Sequence, residues 1–262
     1  IRVNLLTGEK TILATGLNAP RGIAIEREGE TALVRANGIY RVDLLTGSST
    51  LLAYANINGD IAIGPGSAYA FFLTEELYRG MGVIKKIDLA TNEVTTVAGP
   101  LEGSIRGDAI ELSSDGTFAL VIVAGGDTGI KKIDLATGEE SYLFSTGPAM
   151  FGSYSIGDIA LSPDASEVLF WWTSPNEGLM LSRINLTNRE FKTIARARAP
   201  RAIAITQDES SIVAADQVFF GWLFDEVELD SGSGTRLAGF AMYATSFALT
   251  PNDTEVITTN VN

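Results

Sequence analysis

The chain has 262 residues, 45% of them hydrophobic and 19% charged, with a formal net charge of −13 and neither cysteine nor histidine. This composition suits a packed globular core. It excludes disulfides, thiolate metal sites and any chemistry that needs a histidine base or a cysteine nucleophile, and it argues against nucleic-acid binding, which needs a basic face.

No apolar run approaches the ~20 residues of a membrane-spanning helix. No initiator methionine or signal peptide is visible, which reads as a mature or excised domain and leaves room for a larger chain or assembly.

The chain opens on Arg2-Val3-Asn4-Leu5-Leu6-Thr7-Gly8, an alternating strand running into a tight turn. A different pattern follows from Ala19, "APRGIAIEREGETALV": a short apolar strand, a polar turn and a second apolar strand. From Gly38 the opening pattern returns as "GIYRVDLLTGSSTLLA", with Arg41 to Gly47 matching Arg2 to Gly8.

The two patterns then alternate to the end. The strand–turn–strand pattern recurs with anchors Ile23, Ile61, Ile110, Ile159, Ile203 and Phe247. The second pattern places an acidic or amide residue at Asn4, Asp43, Asp88, Asp134, Asn185 and Glu228. A period of ~40–50 residues built from short strands and turns is the signature of a β-propeller.

We therefore expect an all-β, six-bladed β-propeller with four-stranded antiparallel blades. The blades are expected at about 20–56, 57–100, 101–150, 151–198, 199–240, and 241–262 together with 1–19, all within one domain spanning 1–262. The tail from Ala244 copies the first half of a unit and the head copies the second half, so the last blade is closed by the N-terminal strands. That removes the free sheet edges.

The recurring Asp-Leu-x-Thr-Gly element reads as turn chemistry: Gly supplies a positive φ, Asp or Asn bonds the turn backbone, and Asn92 and Asn188 stand in for Gly. The Lys85-Lys86 and Lys131-Lys132 pairs read as exposed strand positions and their neighbours, and Trp171 and Trp172 alternate, so that one of them is core.

The segment Pro20 to Gly47, with Pro-x-Gly-Ile-Ala, a turn, a strand and a closing Asp-x-x-Thr-Gly, resembles an NHL repeat, and "LSPDASEVLFWW" from Leu161 resembles the Ser-Pro-Asp repeats of TolB-like propellers. The resemblance covers the whole chain at the level of architecture. It implies binding modules, lactonases, lyases and synthases alike.

In such a ring the first strands of the blades begin at one face, here called the top, and they begin differently: Arg21-Gly22, Gly59-Asp60, Gly107-Asp108, Gly157-Asp158, Arg201-Ala202 and Thr245-Ser246. Three readings stay open for these residues. Asp60, Asp108 and Asp158 would suit a hard cation such as Ca²⁺; Arg21 and Arg201 would suit an anionic ligand; or acids and guanidiniums neutralise one another and close the channel mouth.

The least repetitive loops reach the same face and carry Tyr78, Trp172, Asn176 and Asp216 as further ligand-binding candidates.

Two functions compete. One is a non-catalytic binding or assembly module, secreted, periplasmic or on a cell surface, taking a protein, a glycan or a small molecule at the top face. The other is a Ca-type, metal-dependent hydrolase similar to the gluconolactonase-like propellers, although Pro20-Arg21-Gly22 stands where those carry a Glu-Gly-Pro-type start. Asn185-Leu186-Thr187 and Asn252-Asp253-Thr254 match the N-glycosylation acceptor.

Overall fold

In the computed structural model, the residues described are all but 27, 55–56, 76–80, 125–126, 149–154, 175–176, 197–199, 219–220, 241–243 and 261–262. Within strands, the side chains of 57–59, 75, 81, 102–108, 147–148, 200–201, 217–218, 221–222, 238, 240, 244–245 and 260 are likewise not described.

Six four-stranded antiparallel blades form a ring. Blade one is Gly22–Ile25, Thr31–Arg35, Ile39–Asp43 and Ser49–Ala53, hydrogen-bonded in that order. Blade four is Ile156–Leu161, Glu167–Ser174, Gly178–Asn185 and Phe191–Arg196, and blade five is Pro200–Ile205, Ser211–Val218, Gly221–Glu228 and Gly234–Phe240.

Blades two and three depart from the repeat. A single 19-residue strand, Val94–Leu112, is the outer strand of blade two where it pairs with Met81–Asp88 and the inner strand of blade three where it pairs with Phe118–Ala124, so the two blades form one seven-stranded sheet.

Blade six takes its inner strands, Ala244–Leu249 and Glu255–Asn260, from the end of the chain and its outer strands, Arg2–Asn4 and Lys10–Thr11, from the start. The register Arg2↔Ile257, Val3↔Val256 and Asn4↔Glu255 joins them, as the two half-repeats imply.

The inner strands of successive blades touch in order around the ring. Between each pair of adjacent blades lies a cluster of buried apolar side chains: Ile23, Val34 and Ile257 between blades six and one, Leu33, Ile61 and Phe72 between one and two, and Phe118, Ile159 and Phe170 between three and four. Strand alternation explains this. Residues i and i+2 of an inner strand face one neighbour and i+1 the other, so both faces of each blade are apolar.

The acidic turn motif is structural. Asp43 Oδ1 accepts from the backbone N–H of Leu45 and Thr46, Asp88 from Ala90 and Thr91, Asp134 from Ala136 and Thr137, and Asn4 and Asn185 do the same in their turns.

The left-handed position that Gly47 takes at φ +72° is held by Asn92 at +62°, but in blade four it is held by Arg189 at +60° and not by Asn188. Asn188 stands where Thr46 does, its N–H donating to Asn185 Oδ1 at 3.0 Å, so that the left-handed residue is again the fourth after the cap residue. Of the Lys131-Lys132 pair, Lys131 is the buried neighbour: it is 2% exposed, with Nζ 2.6 Å from Glu140 Oε2.

A second family of turns joins the first two strands of each blade. Ser113, Ser162, Thr206 and Thr250 each accept, through the hydroxyl, the N–H of the residue five places on. Hydrogen bonds from Ser113 and Thr117 lower the Asp115 pKa to about 2, and turn hydrogen bonds also lower those of Asp43, Asp88, Asp134, Asp164 and Asp208.

A depressed carboxylate pKa contributes stability that is fully present above the unfolded value of about 3.9 and is lost as pH falls through the folded one. The urea midpoint should therefore drop steeply between about pH 4 and pH 2, and Asp115→Asn should make that drop shallower. A drop of unchanged steepness in the variant would show that this turn does not contribute to it.

Candidate functional site

Aligning the inner strands by their register assigns the top-face residues. Ile61↔Phe72, Ile159↔Phe170 and Ile203↔Ala214 are equivalent pairs, so Gly22, Asp60, Ala109, Asp158, Ala202 and Ser246 occupy one ring of positions. Asp108 falls one residue earlier, inside the irregular stretch between Ile105 and Ile110, and its side chain is outside the described residues.

Asp158 Oδ2 accepts the N–H of Ile203, the inner-strand anchor of blade five, at 2.8 Å, and so ties blade four to blade five. Asp60 Oδ1 accepts the N–H of Ile61 at 2.8 Å. The Asp60 carboxylate also lies against blade one in the space where a side chain at Gly22 would be, with Arg35 Cβ 3.4 Å from that same point. Arg35 is only 3% exposed and pairs with Gly22 across the blade-one strands. This buried arginine was not singled out in the sequence, where it opens an unremarkable Arg-Ala-Asn-Gly stretch.

The next ring of positions holds Ala24, Ala62, Glu111, Ala160, Ala204 and Ala248. Five blades carry alanine here because neighbouring inner strands approach closely, and blade three carries a glutamate. The Glu111 carboxyl is pushed well above its usual range, first by burial and then by the charges of Asp158 and Asp60. Glu111 keeps partial exposure, yet no hydrogen bond from its side chain is found among the described residues. The three carboxylates thus sense one another electrostatically, but among the described residues no group of three acids is arranged to hold a metal ion.

The other candidates scatter. Arg21 is exposed at the mouth, with its N–H bonded to Arg35 O at 2.9 Å. Tyr78 and Asn176 lie outside the described residues, as does the side chain of Arg201. Trp172 packs between blades three and four, 5.5 Å from the Phe144 ring, with Nε1 donating to Ser182 Oγ at 3.1 Å. Trp171 packs on the opposite face, in the cluster between blades four and five, with its ring over Gly157, so both tryptophans serve packing. Asp216 is 8% exposed and faces the gap between blades four and five.

No family model matches the chain, and no curated protein does. Solved structures do. TolB from Acinetobacter baumannii matches with a TM-score of 0.71 at 16% identity, over 88% of this chain and 60% of that one. The fold is that of the TolB-like six-bladed propellers. The chain spans 60% of the length of that TolB.

The likeness extends to an oligogalacturonate lyase in complex with manganese, with a TM-score of 0.62 at 16% identity over 92% of this chain and 86% of that one. It extends also to a chain of a nidogen–laminin complex, with a TM-score of 0.66 at 11% identity over 85% and 80%. At these identities the likeness is one of fold. No helix among the described residues is long and apolar enough to cross a membrane.

Proposed function

We propose that this chain is a non-catalytic binding or assembly module that works outside the cytoplasm and takes its protein, glycan or small-molecule partner at the top face of the ring. The observation that carries this reading is how the mouth acids are used. Asp158 and Asp60 accept inner-strand N–H groups, and Glu111 is disfavoured from ionising. Asp158 thus ties blade four to blade five and Asp60 is engaged on its own strand, which is structural use of both acids. Arg21, by contrast, stands exposed at the same face. The nidogen–laminin complex offers a precedent for a propeller of this shape inside a protein assembly.

The competing reading, a metal-dependent hydrolase with a cation such as Ca²⁺ near Asp60, Asp108 and Asp158, has in its favour the convergence of Asp60 and Asp158 on Glu111 and the manganese in the lyase of similar fold. A thermal melt with EDTA, Ca²⁺, Mg²⁺ and Mn²⁺ in turn separates the two, because a ligand of the native state raises the melting temperature by mass action. The binding-module reading expects no metal-specific rise. A saturable rise that disappears in the Asp60→Ala, Asp158→Ala double variant, with metal-dependent cleavage of a lactone or ester, would overturn it.

A further inference from the structure

The gaps between blades three and four and between blades four and five are built at matching positions from different residues. In the first, Phe144, Phe170, Trp172 and Phe191 pack together, with Phe144 and Phe191 stacked at 5.7 Å and Phe144 and Phe170 at 4.8 Å.

Strand register gives the counterparts one blade later. Ile159↔Phe170 corresponds to Ile203↔Ala214, and Trp172, two residues on, corresponds to Asp216. Ile184↔Phe191 corresponds to Val227↔Gly234, and Ile130↔Phe144 corresponds to Leu181↔Ala195. All four aromatic side chains are thus replaced by alanine, glycine or aspartate.

The result is a cleft of ≈ 370 Å³ lined by these four residues. Leu181, Ile203, Ile212 and Val227 form its apolar walls. That volume lies within the range of small-molecule sites, which combine apolar walls with a few placed polar groups.

The polar groups are asymmetric. The deep one is the Asp216 carboxylate, 8% exposed. Asp216 has another interaction within the chain, but a carboxylate offers about four lone-pair sites and is not saturated by one partner. Nearer solvent, Arg236 Nε and Nη2 bind Asp225 Oδ1 and Oδ2 at 2.8 and 3.3 Å, and Arg236 is 48% exposed on its side chain. Arg196, also on the lining, is exposed. The buried end therefore favours a cation and disfavours an anion, while the walls favour a flat apolar body.

We propose that the cleft between blades four and five binds a small aromatic molecule carrying a protonated amine, its ring occupying the space that Phe144, Phe170, Trp172 and Phe191 fill one gap earlier and its amine facing Asp216. The site lies on the flank of the ring and is independent of the top-face reading.

The test uses phenethylamine as the probe, with ethylbenzene and 3-phenylpropionate as neutral and anionic controls, read by isothermal calorimetry and thermal shift on the 262-residue chain. Phenethylamine should bind saturably and at least about tenfold more tightly than 3-phenylpropionate, a ratio equivalent to 1.4 kcal/mol. Asp216→Asn should remove that preference while ethylbenzene binding persists.

Gly234→Phe should abolish binding of all three. A side chain there is accommodated: a Cβ at Gly234 meets nothing closer than Glu226 O at 3.8 Å and Val227 Cγ2 at 4.0 Å. Ala214→Phe serves as a second filling variant if Gly234→Phe does not fold. Absence of saturable phenethylamine binding, equal affinity for the amine and the carboxylate, or binding that survives filling would each overturn the proposal.

Discussion

Replacing Glu111 with alanine is expected to raise the melting temperature at pH 7–8 by roughly 5 °C, with the gain vanishing near pH 4. The position is one of six equivalent ones, and the other five, Ala24, Ala62, Ala160, Ala204 and Ala248, already show that alanine fits the ring there. An ionised carboxylate in this place is penalised by burial and repelled by the charges of Asp158 and Asp60. A largely desolvated charge that gains no hydrogen bond among the described residues costs about 2 kcal/mol, and in a chain of this size each kcal/mol corresponds to roughly 2–4 °C.

The sign follows from linkage. Glutamate ionises at about 4.3 in the unfolded chain, and the folded-state value lies well above that. Between the two the folded chain binds more protons, so stability falls as pH rises from about 4 to the folded value and is level beyond it. The variant lacks this loss. Differential scanning calorimetry of both proteins from pH 4 to pH 8 measures it, and a gain independent of pH would mean that packing, not charge, is responsible.

Gly47→Ala is expected to destabilise the fold by about 3 kcal/mol, against about 1 kcal/mol for Gly138→Ala. Both glycines hold the same place in equivalent turns, at φ +72° and +75°. A side chain in the left-handed region costs about 1–2 kcal/mol wherever it sits. At Gly138 that is the whole cost, because an added Cβ meets nothing within 4 Å.

At Gly47 it would run into the carbonyl oxygen of Leu13, with the Leu13 carbonyl carbon only 3.0 Å away. That backbone cannot easily retreat, since Leu13, Ala14 and Leu17 pack onto the core between blades six and one as the chain passes from one blade to the next. Urea unfolding of the two single variants checks the difference. Equal costs would mean that the crossing segment yields.

The architecture was readable because everything that specifies it is local. An apolar anchor, a turn residue five to ten places away and a second strand recur within each unit, and turn chemistry depends only on neighbours in sequence. The half-repeats at the two ends carried the closure of blade six in the same way. What escaped depended on comparing units position by position. Glu111 is visible in the sequence as the one glutamate following an anchor residue where the others read Ile23-Ala24, Ile61-Ala62, Ile159-Ala160, Ile203-Ala204 and Phe247-Ala248. Asp108, the more conspicuous acid of that blade, sits in an irregular stretch out of register with Asp60 and Asp158.

The cleft between blades four and five was out of reach. It arises from four substitutions spread over Ala195 to Gly234, whose equivalence to Phe144, Phe170, Trp172 and Phe191 appears only once bulges in the outer strands fix the register. The burial of Lys131 and Arg35 was hidden for a related reason: alternation shows that a strand residue faces a neighbouring blade, but not that an acid on the next strand of its own blade, as Glu140 is for Lys131, lies beside it.

The pairing of Arg2–Asn4 with Glu255–Asn260 also sets an order of events. Blades one to five are each assembled from strands close in sequence and can form as soon as their own residues are available. The hairpin of Arg2–Asn4 and Lys10–Thr11 has to wait for its other partner, Glu255–Asn260, some 250 residues away, the longest closure among the described strand pairs. That hairpin is therefore made before the strands it joins, and its pairing with Glu255–Asn260 completes the ring. Until blade six closes, a half-finished ring presents open edges to its neighbours, so the time that closure takes sets the window in which neighbouring chains can pair with them.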